Sequence, residues 1–182
     1  MDIKGTNFGK ETWKSFERGI EKEWLLTNGI GGYASSTIIC ANPRSYYGLL
    51  VASLNPPVSR HLILAKIDES ITINSDKKFN IYSHITSNSI MDGYRNQQSF
   101  TLNPLPAFIY SMEDIIIEKR ITMVYGENTT IIVYKVVNGT QPIVLRLTPL
   151  VNYRDYHHNS LRGHMNFKNE IINKGVAITP YG

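Results

Sequence analysis

Short runs rich in Ile, Val, Leu and Tyr, each closed by Gly, Asn or Pro, recur along nearly the whole of this sequence. Such runs suit β-strands, and the breaks between them suit turns. Strands are expected over 35–40, 47–54, 61–68, 71–73, 79–82, 100–102, 107–112, 115–125, 130–137, 143–151, 165–172 and 176–179. Asn55-Pro56-Pro57 is expected to turn the chain, because proline fixes φ and has no N–H for a ladder. Asn74-Ser75-Asp76 and Asn138-Gly139 read as hairpin turns, the second being the strongest short hairpin signal. One helical window stands apart: Trp13, Phe16 and Ile20 lie at helical spacing within 12–22, with Gly19 weakening it. Many short strands with few helical windows predict an all-β sandwich or barrel with a short N-terminal helix.

Composition narrows the functional classes. The 182 residues fit one domain, 1–182, able to bury about two thirds of its unfolded surface. A content of 42% hydrophobic and 10% aromatic residues excludes a disordered chain. No apolar run is long enough for a transmembrane helix, so no membrane partner is expected. The start, Met1-Asp2-Ile3-Lys4, leads into no apolar stretch of a secretory signal. With a lone cysteine, Cys40, this points to a cytoplasmic location. One cysteine also excludes an intrachain disulfide and a cysteine zinc cage. In that setting the sequons at Asn128 and Asn138 carry no glycan message. The 19 Lys+Arg against 15 Asp+Glu leave +4, but the cations are scattered and no nucleic-acid partner is expected.

Several constellations bear on chemistry. Gly29-Ile30-Gly31-Gly32-Tyr33-Ala34 has the letters of a dinucleotide fingerprint. That fingerprint needs a helix after it and an acid about twenty residues on. Here strands follow, and no Asp or Glu occurs between Glu23 and Asp68, so the run reads as a tight turn. The acid-free stretch carries Asn28, Tyr33, Asn42, Arg44, Tyr46, Tyr47, Arg60, His61 and Lys66. These could line a neutral or anionic ligand site, or simply belong to well-covered strands. Arg154-Asp155-Tyr156-His157-His158 is a second polar cluster, readable as a hydrogen-bonding surface or a domain contact. Adjacent His157 and His158 point to opposite faces of a strand, so with His164 they make a poor metal site, and no metal or cofactor is expected. The acids are scattered with no pair marked for glycosidic cleavage, and no nucleophile elbow occurs.

The run Glu23-Trp24-Leu25-Leu26-Thr27-Asn28-Gly29-Ile30-Gly31-Gly32-Tyr33-Ala34-Ser35-Ser36-Thr37 resembles the N-terminal domain of bacterial and archaeal glycogen debranching enzymes, the amylo-α-1,6-glucosidase type. The likeness continues through Tyr46-Tyr47-Gly48-Leu49-Leu50-Val51-Ala52, Asp92-Gly93-Tyr94, Pro104-Leu105-Pro106-Ala107-Phe108, Glu118-Lys119-Arg120 and Arg154-Asp155-Tyr156-His157. The resemblance implies a supersandwich-like β-domain ahead of an (α/α)-barrel that carries the catalytic carboxylates and hydrolyses α-1,6 branch points. This chain would then be non-catalytic, shaping the α-glucan cleft and docking on the barrel. The ending at Thr179-Pro180-Tyr181-Gly182, directly after a strand, reads as a fragment lacking that barrel. The alternative is a free-standing α-glucan-binding module. The residues expected to face glucan or barrel are Asn28, Gly31, Gly32, Tyr33, Asn42, Arg44, Tyr46, Arg154, Asp155, Tyr156 and His157. Where the family reads Gly-x-Asn-Thr-Arg-Arg-Tyr-His-Gly, this chain has Pro43 for Thr, Ser45 for the second Arg and Tyr47 for His. If that loop contacts sugar or the barrel, two of its polar contacts are lost or changed.

Overall fold

The computed structural model describes residues 5–86, 89–161, 163 and 165–181. In chain order the strands are β1 (Thr6–Gly9), β2 (Glu23–Thr27), β3 (Tyr33–Thr37), β4 (Gly48–Asn55), β5 (Val58–Ile73), β6 (Lys77–Asn80), β7 (Ser83–Ile85), β8 (Ile90–Asp92), β9 (Gln97–Leu102), β10 (Pro106–Met112), β11 (Ile115–Met123), β12 (Thr130–Asn138), β13 (Ile143–Asp155), β14 (Asn166–Ile172) and β15 (Gly175–Tyr181). One sheet runs β1-β9-β10-β11-β12, and the other runs β13-β5-β4-β3-β2 with β6 also on β5. Every pairing is antiparallel. The fold is all-β and sandwich-like, as the strand pattern predicts.

Period-two alternation builds the core. On β10, Pro106, Phe108, Tyr110 and Met112 are buried, and on β11 Ile115, Ile117, Lys119 and Ile121 are. They face Trp24, Ala34, Leu49, Ile71 and Ile73 of the other sheet. Each large apolar side chain buried this way contributes about 1.5–3 kcal/mol. Trp24 and Phe108 meet edge to face at 6.3 Å across the sandwich, and the Trp24 Nε1–H donates to the Thr37 carbonyl at 3.2 Å.

The one charge in the β11 series is paired inside the core. Lys119 Nζ lies 2.5 Å from Glu69 Oε1 of β5, so an ion pair links the two sheets. The Tyr134 hydroxyl of β12 donates to the same carboxylate oxygen at 2.7 Å. Cys40 sits 3.7 Å from both Lys119 Nζ and the Tyr110 hydroxyl, a buried thiol as its apolar neighbours predict.

Several expectations need revision. The 12–22 window yields a 3-10 turn over Lys10–Trp13 and one α-helical turn, α1 (Phe16–Gly19). Ser15 caps α1 by accepting the Arg18 N–H at 3.4 Å. Its last residue is packed closely: a Cβ on Gly19 would lie 2.7 Å from Ile39 Cδ1. The two strands expected over 61–68 and 71–73 form one continuous β5, because β13 pairs with it along most of its length. Asn138-Gly139 makes no hairpin. Strand β12 pairs with β11, whereas β13 pairs with β5, so the 139–142 connection crosses between sheets. A local turn signal reverses the chain but does not choose the partner strand. By contrast, Asn74-Ser75-Asp76 does close the β5–β6 hairpin, with φ of 51° and 61° at Asn74 and Ser75, the left-handed pair that a type I′ turn requires. Among the described residues strands β14 and β15 pair only with each other.

Candidate functional site

Two connections and one strand end converge on one side of the β2–β5 and β13 sheet. The first connection is the β2–β3 turn, 28–32. The second is the β3–β4 connection, 38–47. The strand end is the C-terminal part of β13 with the residues after it.

The β2–β3 turn is built around Asn28, which is fully buried. Its Oδ1 accepts the N–H groups of Ile30 at 3.2 Å and Gly32 at 2.9 Å. Its Nδ2 donates to the Glu127 carbonyl at 2.9 Å and to Asn128 Oδ1 at 3.1 Å, in the β11–β12 turn. Asn128 Nδ2 donates in turn to the Ser53 carbonyl at 2.8 Å. The fingerprint-like run is therefore a hairpin turn tied to the opposite sheet. Asn28 spends its hydrogen bonds within the chain and Gly32 is buried, so both act as framework under the surface. Gly31, at φ +97°, has its carbonyl taken by Arg60 Nε at 2.6 Å.

The 38–47 connection carries the exposed members. Asn42 is held by Ser36 Oγ at 2.7 Å and by its own donation to the Ala65 carbonyl at 2.8 Å. Arg44 pairs with Glu23 at 2.7 Å on the surface. Tyr33 donates to the Tyr46 carbonyl at 2.8 Å and fixes the loop from below. Burial, then the neighbouring Tyr156, pushes the Tyr33 phenol above its ordinary value.

Arg154 joins this loop to the end of β13. One amino group of its guanidinium donates to the carbonyls of Asp155, Tyr156 and His158, and the other to that of Ser45. Asp155 accepts the His157 N–H at 2.9 Å, which holds its carboxyl below the usual carboxylate range. This turn stacks aromatic rings. Tyr46 lies 5.7 Å from Tyr156 and 5.9 Å from His157, both edge to face, and Tyr156 lies 4.0 Å from His157. Arg60 covers Tyr156 at 5.7 Å. His61 and Tyr153 extend the patch at 5.1 Å.

The 42–47 loop is a ridge between two grooves. One, of about 290 Å³, is lined by Glu23, Tyr33, Arg44, Tyr46 and Tyr47 among others. The other, of about 390 Å³, lies between Arg44, Lys66, His84, Leu150, Arg154 and Asn159. Burial and the nearby Glu23 carboxylate raise the Tyr47 phenol above its ordinary range. Glu23, His84, Tyr153 and Asn159 are the members that sequence reasoning missed. Strand pairing and the loops it brings together place them there, which spacing alone does not reveal. Among the described residues no group of three His, Cys, Asp or Glu could hold a metal ion, and His164 lies outside the described residues. No helix among them is long and apolar enough to cross a membrane.

Fold and site together define a β-sandwich domain that offers polar, aromatic-lined grooves at its surface. The model of the glycogen debranching enzyme N-terminal family matches residues 22–182, and the chain belongs to that family. No curated protein and no solved structure matches the chain.

Proposed function

We propose that this is the non-catalytic N-terminal domain of a glycogen debranching enzyme, and that its Tyr46–Tyr156–His157 platform forms one wall of the α-glucan cleft. The observation that carries this is the convergence of Tyr33, Tyr46, Tyr156 and His157 with a loop clamped by Arg154. Neutral glucans present apolar sugar faces edged by hydroxyls. Aromatic rings cover the faces, and Arg, Asn and His groups meet the hydroxyls. Few charges and many tyrosines suit that task. In this reading the catalytic carboxylates belong to an (α/α)-barrel that docks beside the platform and cleaves α-1,6 branch points in the cytoplasm. The only carboxylate lining the groove beside Tyr33 and Tyr46 among the described residues is Glu23, and it is engaged by Arg44. An acid pair for hydrolysis is not supplied there.

The test is a calorimetric titration of the chain with a branched malto-oligosaccharide. Saturable binding is expected, with Tyr46→Ala weakening it by about 1 kcal/mol, roughly fivefold. Absence of binding to the wild-type chain, with Tyr46→Ala also leaving an assembled debranching enzyme unchanged, would overturn the reading.

A further inference from the structure

The second groove is chemically unlike the first. Arg44, Lys66, His84 and Arg154 line it together with Asn42 and Asn159, and no Asp or Glu does among the described residues. Two of these cations are already ion-paired, Arg44 with Glu23 and Lys66 with Asp68, by carboxylates that do not themselves line this groove. Glu23, the partner of Arg44, lines the neighbouring groove, and Asp68, 2.8 Å from Lys66 Nζ, lines neither. Arg154 pairs with no carboxylate among the described residues. Among the described residues all of its hydrogen bonds go to backbone carbonyls, which orient the guanidinium without neutralising it. Those bonds leave Nε–H and part of one amino group free to donate. An oriented, uncompensated guanidinium beside a second Arg and a Lys is the arrangement that planar or tetrahedral oxyanions satisfy best. A neutral sugar can accept its hydrogen bonds but leaves its charge unbalanced.

We propose that this groove binds an anionic group carried on a saccharide, a phosphate monoester or a carboxylate, with Arg154 and Arg44 as its main partners and Lys66 as a third cation. The groove adjoins the aromatic platform across the 42–47 loop, so a glucan lying on the platform would place a charged substituent within it. The sugar part of this proposal rests on the glucan reading; the anion part does not. The Arg44–Glu23 pair is exposed and worth little in water, so an arriving oxyanion can recruit Arg44 at small cost.

The experiment titrates the full chain, by calorimetry, with maltotriose, maltotriose 6-phosphate, glucose 6-phosphate and glucuronate. Maltotriose 6-phosphate is expected to bind about tenfold more tightly than maltotriose, the worth of one charge-assisted hydrogen bond. That advantage is expected to shrink as salt is raised. Arg44→Gln should remove most of it, and Arg154→Gln all of it. Arg154 also clamps the loop, so Arg44→Gln, an exposed side chain whose one ion pair among the described residues is with Glu23, keeps the test decisive if Arg154→Gln disturbs the fold. Preference for glucose 6-phosphate or for glucuronate supports the groove in either case and identifies the anion. Equal affinity for charged and neutral trisaccharide, or an advantage that survives both substitutions, overturns it. Binding of maltotriose without any phosphate advantage rejects the groove and leaves the glucan reading standing. Binding of glucose 6-phosphate without maltotriose does the reverse.

Discussion

At the scale of single residues, two glycines show how a backbone position and its surroundings separate. Gly31 and Gly126 both sit at positive φ, +97° and +81°. A Cβ on Gly31 would lie 2.3 Å from the Pro57 carbonyl oxygen, whereas one on Gly126 would meet nothing within 4 Å. Gly126→Ala should therefore cost only the left-handed conformation, about 1–2 kcal/mol. Gly31→Ala adds a clash with backbone that cannot move aside, and should cost about 3 kcal/mol or more. Urea unfolding of the two variants side by side checks the difference. The sequence reading of 29–34 as a tight turn holds for 29–32, whereas Tyr33 and Ala34 already belong to β3. What it missed is that Asn28 is the turn's anchor. Nothing near Asn28 in sequence announces that its partners are Glu127 and Asn128, in a turn of the other sheet.

At the scale of elements, β11 carries a charge into the core and β5 meets it. On β11, Ile115, Ile117 and Ile121 point inward and Lys119 shares their face, but Ile116 between them hides the alternation from the sequence. Its partner is equally hidden. Glu69 lies among the residues of β5, and only the stacking of one sheet on the other brings them together. Lys119→Met should destabilise the chain by about 3–5 kcal/mol by stranding Glu69, and adding Glu69→Leu should recover much of that loss. Denaturant midpoints decide it. The same cluster sets the response to alkali. Burial raises the phenols of Tyr110 and Tyr134 above their ordinary 10.0, and the thiol of Cys40 above 9.0. Burial alone would lower Lys119, but Cys40 and Glu69 prevail and raise it above its ordinary 10.5. Once the pH passes about 9, the unfolded chain therefore holds fewer protons than the folded one, and stability falls as pH rises. A falling melting temperature from about pH 9 upward is expected, with the tyrosinate absorbance of Tyr110 and Tyr134 appearing only as the chain unfolds. Tyrosinate formation by all the tyrosines ahead of unfolding would contradict this.

At the scale of the whole molecule, each large sheet ends in an open edge. Strand β12 closes one sheet and β13 the other, and both expose apolar side chains: Val133, Val136 and Val137 on β12, Val144, Leu147 and Leu150 on β13. Open apolar edges present unpaired N–H and C=O groups to any neighbouring strand. The isolated chain should associate with rising concentration, and Val133→Lys with Val144→Lys should suppress that. Sedimentation or light scattering reads it directly, and a clean monomer at high concentration would show these edges to be inert.

The sequence by itself determined the all-β class, the hairpin at Asn74-Ser75-Asp76 and the family. Each of these depends on residues close together along the chain, where side-chain period and turn chemistry act. Only the tertiary structure decided which strands pair and which polar groups meet. Asn138-Gly139 carried a hairpin signal and became a crossover, because the choice of a partner strand is made by burial of whole faces and not by the turn. The junction of Tyr46 with His157, and of Arg154 with Ser45, spans more than a hundred residues of sequence. No local pattern encodes such contacts, since they exist only once β13 has paired along β5 and brought its end beside the β3–β4 connection.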